Sequence, residues 1–325
     1  MIVPRYWAEG RAFHREAGRQ VTVRRFGWSD ASEADAQATA DSRARDALER
    51  LLSGEKLRRR EPKVAYNGAE GVPIREEILD SRGDTIITRN SYGAHCLNTP
   101  NVLFADIDFD VDVPTSISIA MMLVLTALGL AAAWPFGSNW LRVIAVIAAV
   151  LGSTWLVPRV YRVIRSFQGG PEQIARLRIC KFLDQYPEWG VRLYRTPAGL
   201  RVLATHRTFL PSDPAVSNFF AALEVDPVYR KMCLKQQCFR ARVTAKPWRI
   251  GIVSHMRPRP GTWPVAPERM PLRTEWIDRY ETVARSFAAC KFLESCGSGV
   301  VNHDVSGVQA WHDLLCQATS DLPIA

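Results

Sequence analysis

Residues 115–134 carry no charged side chain, and residues 140–157 carry only one, Arg142. No other feature limits the fold as strongly. A helix needs about 20 consecutive apolar residues to span a hydrocarbon core, so the first run is full length and the second is marginal. Neither has the polar face of a helix lying on a soluble core. Pro135-Phe-Gly-Ser-Asn139 between them is a turn. Trp134, Trp140 and Trp155 stand near the run ends. Indole rings favour the membrane interface there, and Arg142 can snorkel to the nearer surface. These features predict a two-helix transmembrane hairpin over residues 113–158.

Arg159, Arg162, Arg165, Arg176, Arg178 and Lys181 follow the second run with few acids among them. The positive-inside rule places that end in the cytoplasm. A hairpin returns to the side it left, so both termini are expected there, in a multi-pass protein of the bacterial inner membrane with membrane lipid as a partner. Met1-Ile-Val-Pro-Arg5 leads into charged residues and not into the apolar core of a secretory signal. The seven cysteines are odd in number and include no C-x-x-C pair, which fits reduced thiols. Cys233 with Cys238, or Cys290 with Cys296 and His303, have no established zinc-site spacing, so no zinc site is expected.

Just before the first apolar run, residues 101–110 alternate as a strand. Ala105, Ile107 and Phe109 fall on one face, and Asp106, Asp108 and Asp110 on the other. Two carboxylates at i and i+2 repel each other unless a cation lies between them. Asp106 and Asp108 are therefore the candidate ligands of Mg²⁺ or Mn²⁺, which would clamp phosphate oxygens. The bland alternative is an acidic edge strand beside the membrane.

The flanking chain predicts an α+β fold with a mixed or antiparallel sheet and flanking helices. Two strands joined across Gly18 are followed by a helix that starts at Ser29-Asp-Ala-Ser-Glu33, with capping-type residues, and ends at Leu52. Residues 57–63 are a basic linker. A hairpin turning at Gly83 leads to the aspartate strand. After the apolar runs come an amphipathic helix over 171–186 and two strands separated by Thr196-Pro-Ala-Gly199. The domain thus runs over 1–112 and resumes over 159–267, with the apolar pair inserted after the aspartate strand. Residues 268–325 are expected to be helical. His303-Asp304 and His312-Asp313 lack the further histidines of a metal-dependent phosphohydrolase, so His312 is read as a packed or surface residue. No nucleophile turn, Walker loop or G-x-G-x-x-G is present.

Between Pro227 and Pro267 there is no Asp or Glu. Arg230, Lys231, Lys235, Arg240, Arg242, Lys246, Arg249, Arg257 and Arg259 match the formal net charge of +9 for the whole chain. Arg240 and Arg242 share one face of a predicted strand, which suits a triphosphate or polyanion. Lys246-Pro-Trp-Arg249 sets two charges around a ring able to stack on a base. The same patch could instead face solvent, meet anionic lipid, or neutralise Asp106 and Asp108.

The strand Phe104-Ala-Asp106-Ile-Asp108, a helix, and a β-hairpin turning at Thr196-Pro-Ala-Gly199 together resemble the catalytic core of archaeo-eukaryotic primases and primase-polymerases. The resemblance covers roughly residues 85–250, the apolar pair excepted. It implies that Asp106 and Asp108 hold the catalytic metals. The family's histidine, which contacts the phosphates of the incoming nucleotide two residues beyond a glycine, is here Arg201; His206 falls on the opposite face. No third-motif aspartate is evident on a later strand. Arginine cannot act as a general base at neutral pH, so Arg201 implies phosphate binding, not proton transfer. The expectation is a membrane-anchored nucleotide-binding protein, a degenerate nucleotidyltransferase at most. Asp106 and Asp108 would hold the cation, and Arg201, Arg240, Arg242, Lys246 and Arg249 would bind nucleotide phosphate or nucleic acid. The alternative is a non-catalytic membrane-associated scaffold whose basic patch meets anionic lipid.

Overall fold

Strands β1 (Tyr6–Glu16) and β2 (Arg19–Ser29) form an antiparallel hairpin, with Tyr6 opposite Ser29 and Glu16 opposite Arg19. Ser32 caps helix α1 (Glu33–Leu52), its Oγ accepting from the Asp35 amide at 3.1 Å. The helix lays Ala36, Ala40, Ala44 and Ala47 on the hairpin. Small residues on both sides permit this close approach, because a Cβ on Gly10 or Gly27 would sit 2.3 or 2.1 Å from the Ala40 backbone. This computed structural model describes residues 3–16, 18–61, 72–109, 113, 115–167, 169–259 and 261–325. Asp110 and the end of the basic linker at 62–63 lie outside the described residues.

Next come β3 (Glu77–Arg82), β4 (Thr85–Arg89), β5 (His95–Thr99) and β6 (Phe104–Asp108), then α2 (Thr115–Ala133), α3 (Asn139–Phe167) and α4 (Gly170–Gln185). They are followed by β7 (Gly190–Arg195), β8 (Gly199–Ala204), α5 (Pro214–Ala222), α6 (Pro227–Gln236), β9 (Phe239–Arg242), α7 (Met270–Ala284), β10 (Lys291–Gly297) and α8 (His303–Cys316). The chain is α+β, and its named strands pair antiparallel in three sheets: β1-β2, β3-β4-β5-β9 and β10-β7-β8-β6.

The two four-stranded sheets meet where β6 and β9 end them. The Tyr229 hydroxyl from α6 lies 3.0 Å from both the Phe104 carbonyl of β6 and the Arg240 carbonyl of β9. The core spreads from this joint through Phe104, Ala105, Leu200, Val202 and Phe239, with Ile179 and Phe182 of α4 against it.

Helices α2 and α3 lie side by side, joined by a short turn at Trp134–Phe136 and by Gly137 at φ +65°. Candidate spans Thr115–Phe136 and Asn139–Ile164 are each long and apolar enough to cross a membrane. The second continues past the predicted end at Val157 with Pro158 inside the helix. Leu123, Leu128 and Leu151 stand exposed on this pair, whereas the sheet interiors are dry.

Residues 268–325 are not wholly helical. Within that stretch α7 stops at Ala284, and Lys291–Gly297 instead pairs with the otherwise open edge of β7. Strand β5 was also hidden, because His95-Cys-Leu-Asn-Thr99 is half polar. Asn98 is buried with partners, its Nδ2 donating to the Ile86 carbonyl and Thr88 Oγ1.

Candidate functional site

The β6–β8 register sets Asp106 opposite Arg201 and Asp108 opposite Gly199. Gly199 is required there, since a Cβ would lie 1.8 Å from the Ile107 carbonyl oxygen. The turn before it is closed by Thr196, whose Oγ1 accepts from the Gly199 amide at 3.0 Å. Directly opposed side chains on an antiparallel pair interact, and here the charges are opposite. Arg201 Nε and Nη2 donate to the two Asp106 oxygens at 2.7 and 3.1 Å, and Nη1 donates to the Arg242 carbonyl at 2.8 Å.

This corrects the role expected of Arg201. Its guanidinium is 2 % exposed and engaged with its own chain, so it does not present itself to phosphate. Burial tends to raise the Asp106 carboxyl, but the charge and hydrogen bonds of Arg201 outweigh it and hold the group below its ordinary range.

Arg240 needs a similar correction. It shares a β9 face with Arg242, but its guanidinium reaches Glu76 at 2.6 and 2.8 Å and Asn98 Oδ1 at 2.9 Å in a buried cluster. Glu76 lies on the segment before β3, with no distinctive spacing to mark it. Arg242, one rung further, forms no ion pair with a carboxylate among the described residues, and its Nε is buried without an acceptor. It lines a cavity of about 330 Å³ with Asp106, Tyr92, Tyr229 and Arg240.

Lys246 and Arg249, in and beside the short 3-10 turn Pro247–Ile250, also lack carboxylate partners among the described residues. Both are half-buried. Burial, then repulsion from Arg242, lowers each from its ordinary value. Asp108 is the acid they share. It is exposed at its tip, yet partial desolvation and then repulsion from Asp106 and Asp226 raise its carboxyl. Arg242 and Lys246 oppose that shift without cancelling it. Next to these charges, Trp248 is 55 % exposed, with Tyr92 edge-on at 5.2 Å and Lys246 Nζ 5.3 Å from its ring.

The site therefore joins Asp106, Asp108, Arg242, Lys246 and Arg249, while Arg201 and Arg240 serve as internal counter-ions. Tyr92 was not foreseen. It sits in a turn that Asn90 closes by accepting from the Tyr92 and Ala94 amides at 3.2 and 3.0 Å, and the Asn-x-x-Gly pattern was the only hint. His206 packs against Trp189 and edge-on to Phe209 beyond the end of β8. His312 is fully buried, in keeping with a packed residue, and its Nε2 stands 3.2 Å from Arg201. No protein-family model, curated protein or solved structure matches this chain.

Proposed function

We propose that this is a membrane-anchored protein that binds a nucleotide or related polyphosphate through a divalent cation, in a cleft at the joint between its two main sheets. One observation carries the proposal: Arg242, whose buried Nε has no acceptor, lines a cavity with Asp106 and Tyr92, and Lys246 and Arg249, in its electrostatic range, have no carboxylate ion pair among the described residues, beside the exposed ring of Trp248. Crowded cations that repel one another are stabilised by an added polyanion. A Mg²⁺ or Mn²⁺ ion at Asp108 and Asp106 relieves the carboxylate repulsion and bridges to phosphate oxygens. Trp248 and Tyr92 offer a stacking surface for a base.

The strand-and-hairpin frame fits a primase-polymerase-like core, but Arg201 already occupies Asp106. That favours ligand binding over nucleotidyl transfer. Helices α2 and α3 anchor the chain as an inner-membrane hairpin with both termini cytoplasmic, and they hold the cleft near the membrane surface. The ion pairs Asp106–Arg201 and Glu76–Arg240 favour the second reading, a non-catalytic scaffold whose charges serve its own fold and meet anionic lipid.

Calorimetric titration of the detergent-solubilised chain with a nucleoside triphosphate, with and without Mg²⁺ or Mn²⁺, separates the two. Cation-dependent binding that weakens at least tenfold, about 1.4 kcal/mol, in the double variant Arg242→Ala, Lys246→Ala supports the nucleotide site. Absence of binding by the wild type, with retention on anionic vesicles, supports the scaffold.

A further inference from the structure

Behind Arg201, on the side away from the cleft, Cys290, His312 and Cys316 converge. Cys290 directly precedes β10, and His312 and Cys316 are one turn apart on α8. One donor atom from each residue lies within 4.8 Å of the other two, and all three residues are fully buried. The backbone fixes their approach, since the Ala289 amide donates to the Cys316 carbonyl at 3.0 Å. The sequence pointed elsewhere: Cys296 lies along β10, and His303 starts α8 at the surface, so neither belongs to the cluster. The local signal is the i, i+4 pair His312 and Cys316, which puts both side chains on one helix face.

The imidazole is oriented as a ligand would be. Its Nδ1 is 3.0 Å from Asp313 Oδ1, and Asp313 accepts from Arg192 Nη2 at 2.9 Å. A carboxylate at that position keeps the proton on Nδ1 and turns the Nε2 lone pair toward Cys316 Sγ at 3.4 Å and Arg201 Nη1 at 3.2 Å, so that a metal ion would take the place of the Arg201 contact. The rings of Phe104 and Tyr194 pack 5.1 and 4.9 Å from the imidazole. The charge also balances. Arg201 is neutralised by Asp106, and Arg192 by Asp313. A divalent ion that displaces two thiol protons therefore adds no net charge to the interior.

We infer that Cys290, His312 and Cys316 supply three ligands of a buried zinc site behind Arg201, with the fourth tetrahedral position left to an exogenous ligand such as water, and that the ion fixes α8 and β10. Two thiolates and one imidazole are a zinc-type donor set, and soft sulfur ligands disfavour Mg²⁺ and Mn²⁺. The inference does not depend on the nucleotide reading.

Elemental analysis of the full-length chain, purified in detergent without chelator, tests it. Stoichiometric zinc is expected, falling to background in Cys290→Ser and in Cys316→Ser. Exchange with Co²⁺ should add the thiolate-to-metal charge-transfer absorption of a tetrahedral sulfur site in the wild-type chain, a readout that does not require either variant to fold. Wild-type chain that holds no zinc and gains no such band on Co²⁺ addition overturns the assignment, as does a Cys290–Cys316 disulfide found by mass spectrometry under native alkylation.

Discussion

Asp106 and Asp108 are two residues apart on one strand, and their surroundings drive them in opposite directions. Asp106 is held down by Arg201, so its ionised form stabilises the fold above the ordinary carboxyl range near 3.8, and that contribution is lost as pH falls through the lower folded value. Arg201→Met removes the buried partner that pairs with both Asp106 oxygens and donates to the Arg242 carbonyl. It should cost about 3 kcal/mol, read as a lower denaturation midpoint, and should flatten the acid limb of the stability–pH curve. Asp108 is the reverse case. Its carboxyl is raised, so its ionised form disfavours the fold above the folded value, and the cost disappears as pH falls through it. Asp108→Asn should therefore leave thermal stability at neutral pH unchanged or higher while weakening cation-dependent ligand binding. Lys246→Gln should behave the same way, because burial and Arg242 already depress the ammonium. A residue kept for folding would show the opposite pattern: a loss of stability with binding unaffected.

At the scale of elements, strands β6 and β8 were each readable because their signals are local. Period-two alternation fixed the faces of Phe104–Asp108, and Thr196-Pro-Ala-Gly199 fixed the turn. The structure adds the reason for Gly199, the close approach of the Ile107 carbonyl. Gly199→Ala should push β8 off β6 at the Asp108 rung and cost about 1–3 kcal/mol of stability, measured by chemical denaturation. The cross-strand register was not readable, since it depends on how many residues separate two distant strands from their turns. Without it, Arg201 looked available to phosphate although it stands directly opposite Asp106. Arg240 failed to be read for the same cause, because Glu76 reaches it from a segment far away in sequence. Strand β10 escaped because its pairing with β7 is decided by tertiary contact and not by its own pattern.

At the scale of the molecule, the apolar pair α2 and α3 between β6 and α4 was legible from composition alone, and both helices are long and apolar enough to cross a membrane. The chain should float with lipid vesicles after an alkaline carbonate wash. A variant in which a flexible linker replaces residues 115–167 should lose that association while the sheets, whose contacts lie elsewhere, still fold. Recovery of the full chain in the carbonate supernatant would mean that the two helices cover another protein surface. The joint between the sheets was beyond reach of the sequence, because Tyr229 links β6 to β9 through backbone carbonyls that no side-chain pattern announces. In the proposed function, cation and polyphosphate bind together in the cleft at that joint. Paramagnetic resonance of Mn²⁺ titrated into the full-length chain, with and without a nucleoside triphosphate and corrected for Mn²⁺ bound by free nucleotide, measures that linkage directly. The account predicts tighter Mn²⁺ binding when nucleotide is present, lost in Asp108→Asn. Equal Mn²⁺ affinity with and without nucleotide, or the same behaviour in the variant, would contradict it.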